Sequence, residues 1–124
     1  MEAKDLMIDD WAACEGKNGK VKELREHKLS LKTENSVMIV YYNNVKPIPI
    51  TPEILEKNFT YDSFGFFYFF GDTYLDIKEY TDGLWQVKVD EIMSSLPAWR
   101  MFVINVHELQ HALRLAGIDK EITI

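Results

Sequence analysis

The stretch Lys46-Pro47-Ile48-Pro49-Ile50-Thr51-Pro52 constrains this chain more than any other. Proline fixes φ and has no N–H, and it pushes the preceding residue toward extended backbone. Pro47 and Pro49 therefore forbid a helix and sit badly in a central strand. The segment is expected to run extended and to cross between two parts, a small β-unit over 1–45 and an α+β unit over 46–124. A chain of 124 residues is one domain, or two very small units sharing a core, so one compact body is expected.

The crossing ends by starting a helix. Thr51 is a natural N-cap, Pro52 suits the first helical position, Glu53 falls in the first turn, and Asn58 can end it after Ile54 and Leu55. Upstream, residues 5–12 read as a first strand. Gly16-Lys17-Asn18-Gly19 is a turn signal in which Asn-Gly favours a primed hairpin. Val21 to Leu31 fits a helix through Val21, Leu24 and Lys28, or two strands; the turn before it favours strands. Glu34-Asn35-Ser36 is a second turn, and Val37-Met38-Ile39-Val40-Tyr41-Tyr42 is a β-branched and aromatic strand. A small curled sheet of SH3-like outline is the expectation for this part.

Downstream, Phe64–Phe70, Thr73–Tyr80 and Leu84–Val89 are separated by Gly71-Asp72 and Asp82-Gly83, which reads as an antiparallel meander. Leu75 and Ile77, then Trp85, Val87 and Val89, alternate with polar residues, so each strand buries one face. Phe64-Gly65-Phe66-Phe67-Tyr68-Phe69-Phe70 is apolar on both faces. It is either covered on two sides or partly exposed at an interface. Glu91–Pro97 reads as a loop, Trp99–Ile104 as a fourth strand, and Ile118–Ile124 as a tail returning to the sheet. The fold class is α+β: N-terminal β-unit, helix, three- to four-stranded meander, C-terminal helix.

That last helix, from Val106 to Ala116 with Gly117 as its stop, contains His107-Glu108-Leu109-Gln110-His111. This is the His-Glu-x-x-His spacing with which zinc peptidases place two imidazoles on one metal and a glutamate as general base. A zinc hydrolase using His107, His111 and Glu108 needs a third protein ligand. The metzincin continuation would put Gly at 114 and His at 117, where this chain has Arg and Gly. Only thirteen residues follow His111, and His27 is the only other histidine. At about 100° per residue, Leu109, Ala112, Leu113 and Ala116 form the apolar stripe, and both histidines fall on the opposite side. The favoured reading is two histidines facing water, with no catalytic, cofactor or metal site assigned.

Composition narrows the remaining classes. The net charge of −6 is uneven: residues 1–50 carry eight basic and eight acidic side chains, residues 51–124 six and twelve. An acidic C-terminal part disfavours phosphate binding. The segment Lys17–Lys32, with Lys17, Lys20, Lys22, Arg25, Lys28 and Lys32, keeps a nucleic-acid reading as the second alternative; a solvated hairpin surface is favoured. Cys14 is the sole cysteine, residues 1–12 hold no apolar signal core, and no apolar run approaches a membrane span. A cytoplasmic location is expected.

Taken together, Leu6-x-Ile8-x-x-Trp11, the run Lys46-Pro47-Ile48-Pro49-Ile50-Thr51-Pro52-Glu53-Ile54-Leu55-Glu56-Lys57, and Val106-His107-Glu108-Leu109-Gln110 near the end resemble a family of small proteins from Bacteroides-type bacteria and their phages or prophages. The resemblance spans nearly the whole chain and is most specific in the Pro-Ile-Pro-Ile-Thr-Pro-Glu-Ile-Leu stretch. It implies no established activity, cofactor or partner. Its closing helix typically has Gln and Asn at the positions of Glu108 and His111, which implies that zinc chemistry is not what the family is built around. The resulting expectation is a non-catalytic interaction module of mobile-element origin, meeting a protein partner or a second copy through its aromatic sheet, or acting through the charged first half.

Overall fold

The computed structural model describes residues 1, 5–91 and 99–124. By contacts the chain forms two units, Met1–Ile48 with Asn105–His107, and Pro49–Ile104 with Glu108–Ile124. The fold is α+β, with two antiparallel sheets and two α-helices.

In the first unit, β1 (Trp11–Cys14), β2 (Lys17–Leu24), β3 (Lys28–Lys32) and β4 (Val37–Tyr41) form an open meander in sequence order, with β1 and β4 at its edges. Val21–Leu31 is thus strand, as the turn chemistry favoured. The first hairpin, however, turns three residues earlier than Asn-Gly suggested. Glu15 (φ 51°) and Gly16 (φ 76°) take the two left-handed positions of a primed turn, which places Asn18 opposite Ala13 and Gly19 opposite Ala12. Gly19 serves a close approach instead: a Cβ there would lie 3.1 Å from Lys32 O and 3.2 Å from Leu31 Cβ. The first strand also begins later than expected, at Trp11. Asp10 accepts a hydrogen bond from Met7 N–H at 2.7 Å through its carboxylate, and Asp9 has φ 71°, a bend at which the backbone already meets β2: Asp9 N–H donates to Val21 O at 2.7 Å and Asp10 O accepts from Val21 N–H at 2.9 Å.

The core of this unit is Leu6, Ala12, Cys14, Val21, Leu29, Leu31, Tyr42 and Val45. The start of the proline-rich crossing covers β1: Ala13 and Lys46 exchange backbone hydrogen bonds of 2.9 and 2.8 Å. Further along, Ile48 O accepts from Val106 N–H at 2.8 Å.

The second unit opens with α1 (Pro52–Asn58), built as its sequence dictates. Thr51 Oγ1 accepts from Ile54 N–H at 3.3 Å, and Pro52 occupies the first turn. The sheet that follows has the order β5 (Thr60–Asp62), β6 (Gly65–Phe70), β7 (Thr73–Thr81), β8 (Leu84–Glu91), β9 (Trp99–Val103). It has one strand more than expected, because three-residue β5 is too short to show alternation. The loop expected over Glu91–Pro97 lies, from residue 92 onward, outside the described residues. Gly65 (φ 151°) admits β6 against β7, since a Cβ would meet Ile77 O at 2.6 Å.

Register assigns the faces. Phe66, Ile77, Val87 and Met101 form one cross-strand row, and Tyr68, Leu75, Val89 and Trp99 the next. Leu75, Ile77 and Val87 are fully buried, so this is the core face. Phe59, after α1, meets the Tyr68 ring edge-on at 6.2 Å, and Lys120 of the tail lies 5.5 Å from the same ring. The tail is irregular rather than a strand, yet Ile118 and Ile122 are buried. It is held by Asn58, whose Nδ2 donates to Thr123 O at 2.7 Å and whose Oδ1 accepts from Thr123 N–H at 2.8 Å.

Candidate functional site

The closing helix α2 runs Val106–Leu115 and stops where Gly117 (φ 73°) lets Ile118 N–H donate to Leu113 O at 2.9 Å, a Schellman closure. Leu109, Ala112 and Leu113 are buried as the periodicity required. The histidines do not both face water. His107 is only 7% exposed, as is Gln110, and His111 is half-buried. The physical reason lies in the first turn. Val106 N–H is bonded to Ile48 O, and the buried arc of the helix extends about 100° past Val106 to include Gln110 and His107. Only Arg114 and Leu115 at the far end are exposed in full.

Glu108 has a structural task. Its Oε1 accepts a hydrogen bond from Ile104 N–H at 3.2 Å, reaching back across the helix start to one residue before the position a capping box uses, and a negative charge in the first turn also suits the dipole. A carboxylate so placed is turned toward the backbone behind it. Among the described residues, no group of three or more His, Cys, Asp or Glu side chains is arranged to hold a metal ion.

The basic segment is partly spent within its own hairpins. Lys22 pairs with Asp9 at 2.7 Å, Arg25 with Glu23 at 2.6 Å, and Lys20 lies 5.3 Å over the Trp11 ring. The Arg25 guanidinium, by hydrogen bond and charge, holds the Glu23 carboxyl below its ordinary pKa. Lys17 and Lys32 are exposed.

The second sheet carries a different surface. On the face opposite the core, register places Phe67 and Phe69 of β6, Tyr74, Asp76 and Lys78 of β7, Gln86, Lys88 and Asp90 of β8, and Arg100 and Phe102 of β9. The rings of Phe67, Phe69 and Tyr74 pack on one another, with centroids 6.0 Å (Phe67–Phe69), 6.3 Å (Phe67–Tyr74) and 4.9 Å (Phe69–Tyr74) apart. Phe69 is nonetheless 56% exposed. A second pair, Tyr80 and Phe102, sits 5.1 Å apart toward the other end, beyond the charged row Asp76–Lys88–Arg100. Tyr61, Phe64 and Phe70 are exposed nearby in sequence. The rings fill the space between themselves, so the cluster is a platform, not a cage around a cation.

Charged groups of both signs flank the platform: Asp76 pairs with Lys78 at 3.4 Å and Asp90 with Lys88 at 3.6 Å. The Tyr74 hydroxyl is pushed above the ordinary tyrosine pKa, first by burial and then by the charges of Asp76, Asp62 and Asp90, with Lys78 opposing. The expectation that β6 is either doubly covered or exposed at a surface resolves to the second: its outer residues are open. Comparison with family models, with curated proteins and with solved structures returned no match to this chain. Among the described residues no helix is long and apolar enough to cross a membrane.

Proposed function

We propose that this protein is a non-catalytic interaction module whose working surface is the outer face of the second sheet, and that it recognises a protein segment combining basic and apolar side chains. The observation that carries the reading is the platform of Phe67, Phe69 and Tyr74, open on the face opposite the core and flanked by the ion pairs Asp76–Lys78 and Asp90–Lys88. Exposed aromatics clustered in one patch mark contact surfaces, because large amphipathic rings give much buried area at small entropic cost. The net charge of −6 carried by residues 51–124 favours a cationic partner, and it speaks against a nucleic-acid strand as the occupant. The cationic face of an Arg over Phe69 or Tyr74 would be stabilised by about 0.5–2 kcal/mol.

The origin in a phage or other mobile element rests on the resemblance of the Pro-Ile-Pro-Ile-Thr-Pro-Glu-Ile-Leu stretch. A cytoplasmic site of action is in keeping with a single buried cysteine. The test is affinity capture from cell lysate with the wild-type protein and with Phe69→Lys, which replaces an exposed ring of the platform by a positive charge while changing no core residue. A partner retained by the wild type and lost at least tenfold in the variant supports the reading. Partners retained equally by both would refute it.

A further inference from the structure

The two edges of the first sheet are treated differently. The β1 edge is closed by the Ala13–Lys46 bridge and the prolines that follow. Among the described residues, β4 borders no strand on its far side. Its sequence, Val37-Met38-Ile39-Val40-Tyr41, has neither the charge nor the proline that natural edges use against pairing. Val37, Ile39 and Tyr41 are 62%, 66% and 59% exposed on one face.

Hydrogen-bond parity fixes which backbone groups are open. Thr33 N–H donates to Ser36 O across the β3–β4 turn, so in the alternation of an antiparallel ladder Met38 and Val40 direct their N–H and C=O to β3. Val37, Ile39 and Tyr41 then direct theirs outward, at the same positions whose side chains are exposed.

We infer that β4 pairs antiparallel with β4 of a second copy about a two-fold axis at Ile39, joining two four-stranded sheets into one. The strand is self-complementary about that point: Ile39 faces its own equivalent, and Val37 faces Tyr41 of the other copy, an aromatic–β-branched pair of the kind that stabilises sheets. Three facing pairs supply roughly six backbone hydrogen bonds. Charge permits it, since residues 1–50 are balanced and the −6 resides in 51–124. Lys28 and Lys32 lie opposite Tyr41 and Val37, so across the new seam the nearest like charges are three strand spacings, about 14 Å, apart, beyond the Debye length of about 8–10 Å. The contact is isologous and closes at two copies. Three exposed side chains per copy bury well under the ~1,200 Å² of a stable complex, so the dimer is weak and concentration-dependent.

Sedimentation velocity from 5 µM to about 1 mM reads this directly, in a range chosen for a weak contact. The wild type is expected to move from monomer to dimer across that range. Ile39→Lys, at an exposed position, should weaken dimerisation at least tenfold, and Phe69→Lys on the other sheet should leave it unchanged. Ile39→Cys should form an interchain disulfide on oxidation, because directly paired strand residues have Cα atoms about 5.5 Å apart, within disulfide range. That variant also serves if lysine disturbs the fold. A wild type monomeric at 1 mM, a dimer that persists in Ile39→Lys, one abolished by Phe69→Lys, or no interchain disulfide would each overturn the inference.

Discussion

Replacing Asn58 by alanine should loosen the end of the chain. Asn58 is 7% exposed and joins α1 to the tail: its amide donates to Ile54 O and Thr123 O, each at 2.7 Å, and accepts from Thr123 N–H at 2.8 Å. The two bonds to Thr123 are each worth about 1 kcal/mol net, while Ile54 O, a helix carbonyl, loses little. Asn58→Ala should therefore cost about 2 kcal/mol. If the tail detaches, the lost burial of Ile122 (about 1.5–3 kcal/mol) is largely offset by regained chain entropy, so the total should stay near 3 kcal/mol or below. In urea unfolding followed by tryptophan fluorescence, with m of about 1.5–2 kcal/mol/M for a chain this size, the midpoint should fall by roughly 1–1.5 M. Amide exchange at Thr123 should accelerate at least tenfold.

Asn58→Asp separates the contributions. It keeps an acceptor for Thr123 N–H but turns carboxylate oxygens toward two carbonyls, which raises the folded-state pKa of the new side chain. The native state then holds its proton longer than the unfolded chain, so the stability this proton supplies is present below about pH 4 and lost as pH rises through the raised folded pKa. Asn58→Asp should thus be closest to wild type in acid. A midpoint change below about 0.3 M in Asn58→Ala, with Thr123 still protected, would refute the role assigned to this residue.

Removing the Glu108 carboxylate with Glu108→Ala should cost about 1 kcal/mol through the lost bond to Ile104 N–H and the lost dipole interaction, whereas Glu108→Gln should recover part of it; equal stability of all three proteins would contradict a capping role. Protein purified without an affinity tag should contain no stoichiometric zinc by atomic emission, and one equivalent that disappears in His111→Ala would revive the hydrolase reading. Tyr74 should ionise above the ordinary tyrosine range in a titration followed at 295 nm, and Tyr74→Phe should remove that late step. Because the folded-state pKa is raised, the associated stability is intact below about pH 10 and is lost as pH rises through the folded value, so the variant should lose stability less steeply in that range; coincident curves would exclude the shift.

Much of the fold is written locally. Thr51, Pro52 and Asn58 bound α1 by chemistry contained within eight residues, and the alternation of Leu75 and Ile77, then of Trp85, Val87 and Val89, gives β7 and β8 with their buried face. The first hairpin was misplaced because Asn18-Gly19 has the better turn composition, while the requirement for a glycine at 19 comes from Leu31 and Lys32 on another strand. The burial of His107 and Gln110 widens the helix's buried arc beyond the stripe of Leu109, Ala112 and Leu113, and the apolar periodicity does not encode it because both side chains are polar. Asn58 reads as a helix stop, and its second partner lies 65 residues later. The exposed platform was half legible: the polar residues of β7 mark the outer face, and pairing β6 with β7 in register carries Phe67 and Phe69 to it.

The central claim, that the outer face of the second sheet is a recognition surface for basic and apolar segments, is tested most directly by selecting binders from a random peptide display library and mapping them by amide chemical shifts. The account predicts an enriched Arg- or Lys-containing, aromatic consensus that shifts the signals of Phe67, Phe69 and Tyr74 and no longer binds Phe69→Lys. Selected peptides that are acidic, or that map away from these three residues, would contradict it.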